Sequence, residues 1–253
     1  MPAIALRRLT ACCDRLLKPG EIDDWSGAAN GLQVENRGKV HRIAAAVDAS
    51  VTTVRMAVEA EADLLLVHHG LFWGASQPWT GRRYELLRLL LDHDVAVYSS
   101  HLPLDVHPRL GNNARLCAAL GFRQSRPFFL SRGAQLGLRV ARRIEREELV
   151  TRLGAAVNGP VRLLPGGPAL CRSIGVVTGG AGAELRQAAE EGVDTFITGE
   201  GPHWTFALAE DLGINVLYAS HYATETFGVR ALAAHLSEKF RLPWVLLAHP
   251  TGL

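Results

Sequence analysis

The chain has 253 residues, enough to bury a large core in one or two domains. Hydrophobic residues make up 48% and the formal net charge is +2 at pH 7, a balance that argues against a dedicated nucleic-acid surface. The four cysteines, Cys12, Cys13, Cys117 and Cys171, form no C-x-x-C pair. That argues against a disulfide framework or a zinc ribbon and fits a reducing cytoplasm. Arg7, Arg8 and Asp14 interrupt the order of a signal peptide, and no apolar run is long enough to span a membrane. A cytoplasmic location is expected.

Taken in chain order, "AIALRRLTACCDRLL" reads as an amphipathic helix ended by "KPGE". "NGLQVE" and "HRIAAAVDAS" read as strands. "VTTVRMAVEAEA" has helical spacing, with Ser50 or Thr52 as its cap. "DLLLV" is a strand that ends in His68 and His69. "RRYELLRLLLDHD" is a helix, "VAVYSS" a strand, and "NNARLCAALGF" a helix closed by Gly121. Residues 123–170 read as a connecting segment with one helix near "REELVTRLGAAV". Strands alternating with helices predict mostly parallel α/β sheets flanked by helices.

The pattern then repeats. "RIAAAVDASVTTVRMAVEAEADLLLVHHG" (42–70) lies over "SIGVVTGGAGAELRQAAEEGVDTFITGEG" (173–201) without a gap. Ile43 falls on Ile174, Arg55 on Arg186, Asp63 on Asp194 and Gly70 on Gly201. Further on, "VAVYSSHLPLD" lies over "NVLYASHYATE", with Tyr98 on Tyr218, His101 on His221 and Asp105 on Glu225. This self-similarity predicts an internal duplication with pseudo-twofold symmetry. The expected division is 1–125 and 126–253, with the C-terminal helix and strand able to pack back on the first half.

Ligands of open parallel sheets gather beyond the carboxyl ends of the strands. His68, His69, His101, Asp105, His221 and Glu225 all fall there. Each alone reads as a satisfied histidine or a capping acid. Four imidazoles and two carboxylates at equivalent places in two repeats read as a metal site between the halves. Neighbouring strand residues point to opposite faces, so His68 and His69 are poorly placed to chelate one ion. If "HYATE" opens a helix, His221 and Glu225 lie one turn apart on one face. Six ligands exceed an open tetrahedral site and suit two ions. Mixed nitrogen and oxygen donors suit Zn, Mn, Fe, Co or Ni.

The sequence resembles the Nif-three-like, or dinuclear-metal-centre, proteins, many of which carry the name of type-two GTP cyclohydrolase homologues. The resemblance spans nearly the whole chain and rests on "NGLQVE", "VHHGLFW", "SSHLPLDVHPRLGNN", "FITGE" and "SHYATETFGVRAL". It implies a two-domain α/β chain, a toroidal homohexamer, and metal ligation by His68, His69, Asp105, His221 and Glu225, with His101 as a further candidate. Tyr222 stands where some relatives carry a second histidine, outside the implied ligands.

The enzymatic reading is metal-assisted hydrolysis, with two ions lowering the pKa of water to supply hydroxide. For GTP the attack would open the guanine imidazole ring at C8 and release formate. Roughly four positive charges on two ions exceed about three on two carboxylates and a hydroxide, so a nucleotide or other phosphorylated small molecule fits. Arg82, Arg83 and Arg109 could meet a phosphate, or simply be solvated. "VTGGAGAEL" lacks the lysine of a P-loop. A competing reading is a non-enzymatic, metal-dependent binding or assembly factor. A nucleic-acid clamp is the weakest, lacking a basic-aromatic patch. Glu200 occupies in the second half the place of His69 in the first. Two roles compete for it: orienting a ligand histidine or taking a proton from metal-bound water, or capping the helix near "GPHWTFALAE".

Overall fold

The computed structural model describes residues 3–74 and 77–253. The chain divides into two compact units. The first is Met1–Leu104 with Gly228–His249, and the second is Asp105–Phe227 with Pro250–Leu253. Residues 105–125 therefore group with the second unit, and the end of the last helix groups with the first.

In the first unit, β1 (Ile4–Ala5) leads into α1 (Leu6–Leu17), followed by β2 (Gly31–Val34), β3 (Lys39–Val40), β4 (Ile43–Asp48) and α2 (Val51–Glu59). Then come β5 (Leu64–His69), α3 (Gly81–Asp92), β6 (Ala96–Ser99) and the short α4 (Leu102–Asp105). The second unit starts with α5 (Asn112–Ala119), β7 (Arg126–Ser131), β8 (Ala134–Glu145), α6 (Arg146–Val157), β9 (Arg162–Pro165) and β10 (Leu170–Val176). A 3-10 turn (Ala181–Glu184) opens α7 (Leu185–Glu190), and β11 (Thr195–Thr198), α8 (Thr205–Leu212) and β12 (Asn215–Tyr218) follow. Helix α9 (His221–Phe240) leads to β13 (Trp244–Leu246) in the first unit.

The first sheet has the order β13-β4-β5-β6-β2, parallel except for β2. The second has the order β7-β8-β10-β11-β12-β9, in which only β10, β11 and β12 run parallel. Each sheet thus has a parallel core, flanked by an antiparallel strand on one side in the first sheet and on both sides in the second. In the first unit Ala44, Ala46, Leu65, Val67 and Val97 pack against Val54 and Ala57 of α2 and Leu86 and Leu90 of α3. The second sheet is covered on both faces. Ile174, Ile197 and Leu217 meet Leu149 and Leu153 of α6, while Phe196 and Val216 meet Leu185 of α7 and Ala209 of α8. Double coverage explains why the core strands read as continuous apolar runs. Ser50 caps α2: its hydroxyl accepts from Thr53 N at 3.1 Å, and the Thr53 hydroxyl accepts from Ser50 N at 2.8 Å. All four cysteines are buried thiols, and burial pushes Cys117 up to about 12.

The duplication is visible in the ladders. Ile43 pairs with Leu64, and Ile174 pairs with Thr195 at the same offset of 131. The Asp63 carboxylate accepts from His41 N at 2.6 Å and Arg42 N at 3.0 Å. The Asp194 carboxylate does the same for Arg172 N at 2.9 Å and Ser173 N at 3.0 Å.

Two sequence readings need correcting. Residues 123–170 are not a plain connector: β7, β8 and β9 lie within them. Strand β8 hides its alternation because a bulge sets Arg142 and Arg143 opposite Arg172, leaving both exposed. The match of Tyr98 with Tyr218 also fails in the ladder. Tyr98 pairs with Leu66, but Tyr218 pairs with Thr198, which aligns with Val67. A one-residue slip reverses the face. Tyr98 therefore donates to Asp14 on α1 at 2.8 Å, while Tyr218 meets Thr205 on α8 at 2.6 Å. Among the described residues, no helix is long and apolar enough to cross a membrane.

Candidate metal-binding site

In the first unit the site grows from the ends of β4, β5 and β6. Strand β5 does not stop before its histidines; it runs through both, and His69 still pairs with Asp48 of β4. The His68 and His69 ring centroids lie 4.8 Å apart, tilted by 45°. His101, just past β6, lies 4.9 Å from His68 and 5.5 Å from His69 by the same measure. One nitrogen from each ring lies within 4.8 Å of the others, close enough to share metal ions. His68 is fully buried, at 0% exposure.

What orients these rings is a set of acceptors at Nδ1. The His68 Nδ1 faces the Ser100 carbonyl at 2.9 Å, His69 Nδ1 the Asp48 carboxylate at 2.8 Å, and His101 Nδ1 the Asp24 carboxylate at 2.8 Å. An acceptor there requires Nδ1 to donate. In the neutral ring this leaves the lone pair on Nε2, the arrangement that metal-ligating histidines use. Asp24 is itself held by Asn30 Nδ2 at 2.7 Å. Burial alone would raise the Asp24 carboxyl. The hydrogen bond and charge of His101, with Asn30 and Trp25 N, outweigh that and bring it down to about 2.

The second unit repeats the device once. Ser220, before α9, adopts φ 68°, a left-handed turn, and its hydroxyl accepts from Ala223 N at 3.2 Å. This starts α9 at His221, with Glu225 one turn on. His221 Nδ1 faces Glu200 at 2.8 Å, and His221 Nε2 lies 3.1 Å from Glu225. Burial disfavours a charged His221, but the hydrogen bonds and charges of Glu225 and Glu200 prevail and raise it to about 9. At neutral pH the metal-free ring therefore holds a second proton, lying between Nε2 and Glu225, where a cation would be at home. Gly179 makes the space: a Cβ there would lie 2.2 Å from Glu225 Oε1, and its φ is +76°.

Asp105 is buried and takes a hydrogen bond from Asn112 Nδ2 at 2.8 Å. Glu200 is not the cap of α8, whose start receives no side-chain cap; it holds His221 instead. Arg82 pairs with Glu85 at 2.8 Å, and Arg83 lies 4.6 Å over Trp79. Sequence reasoning missed Asp24, Asp48, Asn112 and Gly179. Asp48 stood at a strand's carboxyl end and met the criterion applied to the histidines. Asp24 gave no signal, since its partner lies 77 residues away.

An α/β protein whose strand ends carry imidazoles braced at Nδ1, together with an adjacent carboxylate, belongs to the class equipped to bind metal. The chain belongs to the Duf34/NIF3 (NGG1p interacting factor 3) family, whose model matches residues 4–250. A relative from Deinococcus radiodurans named "GTP cyclohydrolase 1 type 2 homolog" is 42% identical over 228 residues, 88% of this chain and 86% of that protein. One of the same name from Halobacterium salinarum is 43% identical over 92% of this chain and 94% of its own. The crystal structure of TTHA1606 from Thermus thermophilus superposes with a TM-score of 0.91 at 38% identity, covering 99% of this chain and 100% of that one.

Proposed function

We propose that this protein is a metal-dependent hydrolase with a dinuclear centre. Its ligands are His68, His69, His101, Asp105, His221 and Glu225. The observation that carries the reading is the bracing of all four imidazoles at Nδ1, which in each neutral ring puts the lone pair on Nε2, as in a metal ligand. The donor set of nitrogens and carboxylates fits Zn, Mn, Fe, Co or Ni. Two ions held by it supply Lewis acidity and a water of lowered pKa. The chain's own part is to hold those ligands rigid and to move protons. Glu200, partly open to solvent beside His221, orients that ring and is the proton acceptor of the site.

The name "GTP cyclohydrolase 1 type 2 homolog" carried by the relatives supports a nucleotide as the substrate, and hydrolytic opening of its purine ring is the reaction proposed. The protein works in the cytoplasm as a homohexamer. The test is to incubate metal-loaded protein with GTP, other nucleotides and phosphoesters and to measure released formate and phosphate. Turnover that disappears in a folded Glu225→Gln variant supports the hydrolase. Full metal occupancy with no turnover on any of them supports a second reading, a metal-dependent binding factor, which the "interacting factor" of the family's description favours.

A further inference from the structure

We infer that Trp73 is a stacking wall for a planar nitrogen heterocycle beside the three imidazoles of the first unit. Trp73 follows the "HHGLF" run at the end of β5, and its ring stands nearly at right angles to two of the histidines. Its centroid is 4.9 Å from His101 at 85° and 5.6 Å from His69 at 71°. The indole is nevertheless 39% exposed. Hydration of its polar edge does not explain that exposure, because Nε1 donates to the Gly70 carbonyl at 2.9 Å. What faces outward is aromatic carbon, fixed in place by an internal hydrogen bond. A rigid indole next to metal-type ligands suits a flat π-system, since every heteroaromatic ring offers a face to stack.

A neighbouring loop packs against the one that carries Trp73. Gly74 N donates to the Ser26 carbonyl at 3.1 Å, and a Cβ on Gly27 would lie 2.3 Å from the Gly74 carbonyl oxygen. The two loops are therefore tied by a glycine contact that no larger residue permits, at φ +83°. The second loop carries Trp25, 53% exposed, and lines by itself an open cleft of about 470 Å³, with Asp23, Asp24, Ser26 and Asn30 in its wall and Trp73 outside it. Asp24 and Asn30 are occupied in holding His101: Asp24 accepts from its Nδ1, and Asn30 Oδ1 accepts from its backbone N at 2.7 Å. Asp23 and Ser26 are left to meet a ligand. A carboxylate accepts from ring N–H and amino groups and repels phosphate. The heterocycle, and not a phosphate, belongs on this side.

The location rests on reading the histidines as a metal centre, but ring binding can be measured without turnover. The experiment is calorimetric titration of the full chain, metal-free and metal-loaded, with guanosine, adenosine and, as a control, ribose. Saturable binding of the nucleosides and none of ribose is expected. Trp73→Ala should weaken nucleoside binding about tenfold or more, the size expected for a lost base stack. Trp73→Phe should keep most of it. Trp73→Phe, which keeps a ring against His69 and His101, should retain the metal content, while Trp73→Ala should melt lower yet stay folded at the titration temperature. Equal affinity in Trp73→Ala, or no nucleoside binding at millimolar concentration, overturns the inference. Trp73-dependent binding in a wild-type protein that takes up no metal would sink the dinuclear reading and leave this one standing.

Discussion

Replacing Glu200 by Gln keeps the shape of the side chain and removes its charge. Two effects on metal binding follow, and they oppose each other. Loss of a carboxylate behind a ligand histidine typically weakens metal binding about 10- to 100-fold, roughly 1.4–2.8 kcal/mol. Against this, His221 stands at about 9 because Glu225 and Glu200 both favour its charged form. At pH 7 an ion must displace that proton, a handicap of about 100-fold for a group two units below its pKa. Glu200→Gln lowers the His221 pKa and so reduces the handicap. Near pH 9.5 the handicap is gone in both proteins, and only the loss of the brace remains. The variant should therefore bind Zn about 10- to 100-fold more weakly at pH 9.5, with the gap narrowing towards pH 7. Competition against a chelator of known affinity at the two pH values measures this, with the His221 titration followed by NMR in the metal-free protein. A variant that keeps His221 near 9 and binds Zn like wild type at both pH values would show that Glu200 does not brace a metal ligand.

Four further outcomes are expected. Gly179→Ala must place an alanine at φ +76° and push a Cβ into Glu225, so stability should fall by at least about 1 kcal/mol and retained metal should drop; calorimetry and elemental analysis read both. In chelator-treated protein, the raised His221 pKa contributes stability that is complete below about 6.5 and lost as pH rises through about 9. Melting temperature should accordingly decline across that window, and Glu225→Gln should flatten the decline. Asp63→Ala and Asp194→Ala each remove a carboxylate that accepts from two backbone N–H groups, so each should cost about 2 kcal/mol, visible in thermal melts. Light scattering at micromolar concentration should return a hexamer, and a monomer would contradict the assembly proposed.

Much of this was legible because two signals are local. Apolar runs bounded by polar turns marked β4, β5, β6, β10, β11 and β12, since strands buried on both faces have no reason to alternate. The gapless match over residues 42–70 and 173–201 survived as equal ladder registers and as the paired roles of Asp63 and Asp194. The histidines were legible as a group because strand ends are few and theirs were polar. Strand β8 was not legible, because its bulge breaks the period of two and its exposed arginines mimic a loop. The partners of the histidines were harder still. Asp24 meets His101 across 77 residues, and no spacing rule links a loop acid to a distant ring. Tyr98 and Tyr218 show the opposite failure: the same Y-x-S-H pattern, yet a ladder offset by one residue that turns them to opposite faces.

The braced imidazoles and their carboxylates are proposed to hold two metal ions. Elemental analysis of protein purified without chelator and supplemented with Zn, Mn, Fe, Co or Ni tests it most directly. Alongside it should run a variant lacking His68 and a variant lacking His221. Close to two transition-metal ions per chain in the wild type, and fewer in each variant, is the expected result. A wild-type value that stays near zero after supplementation would rule out the dinuclear centre.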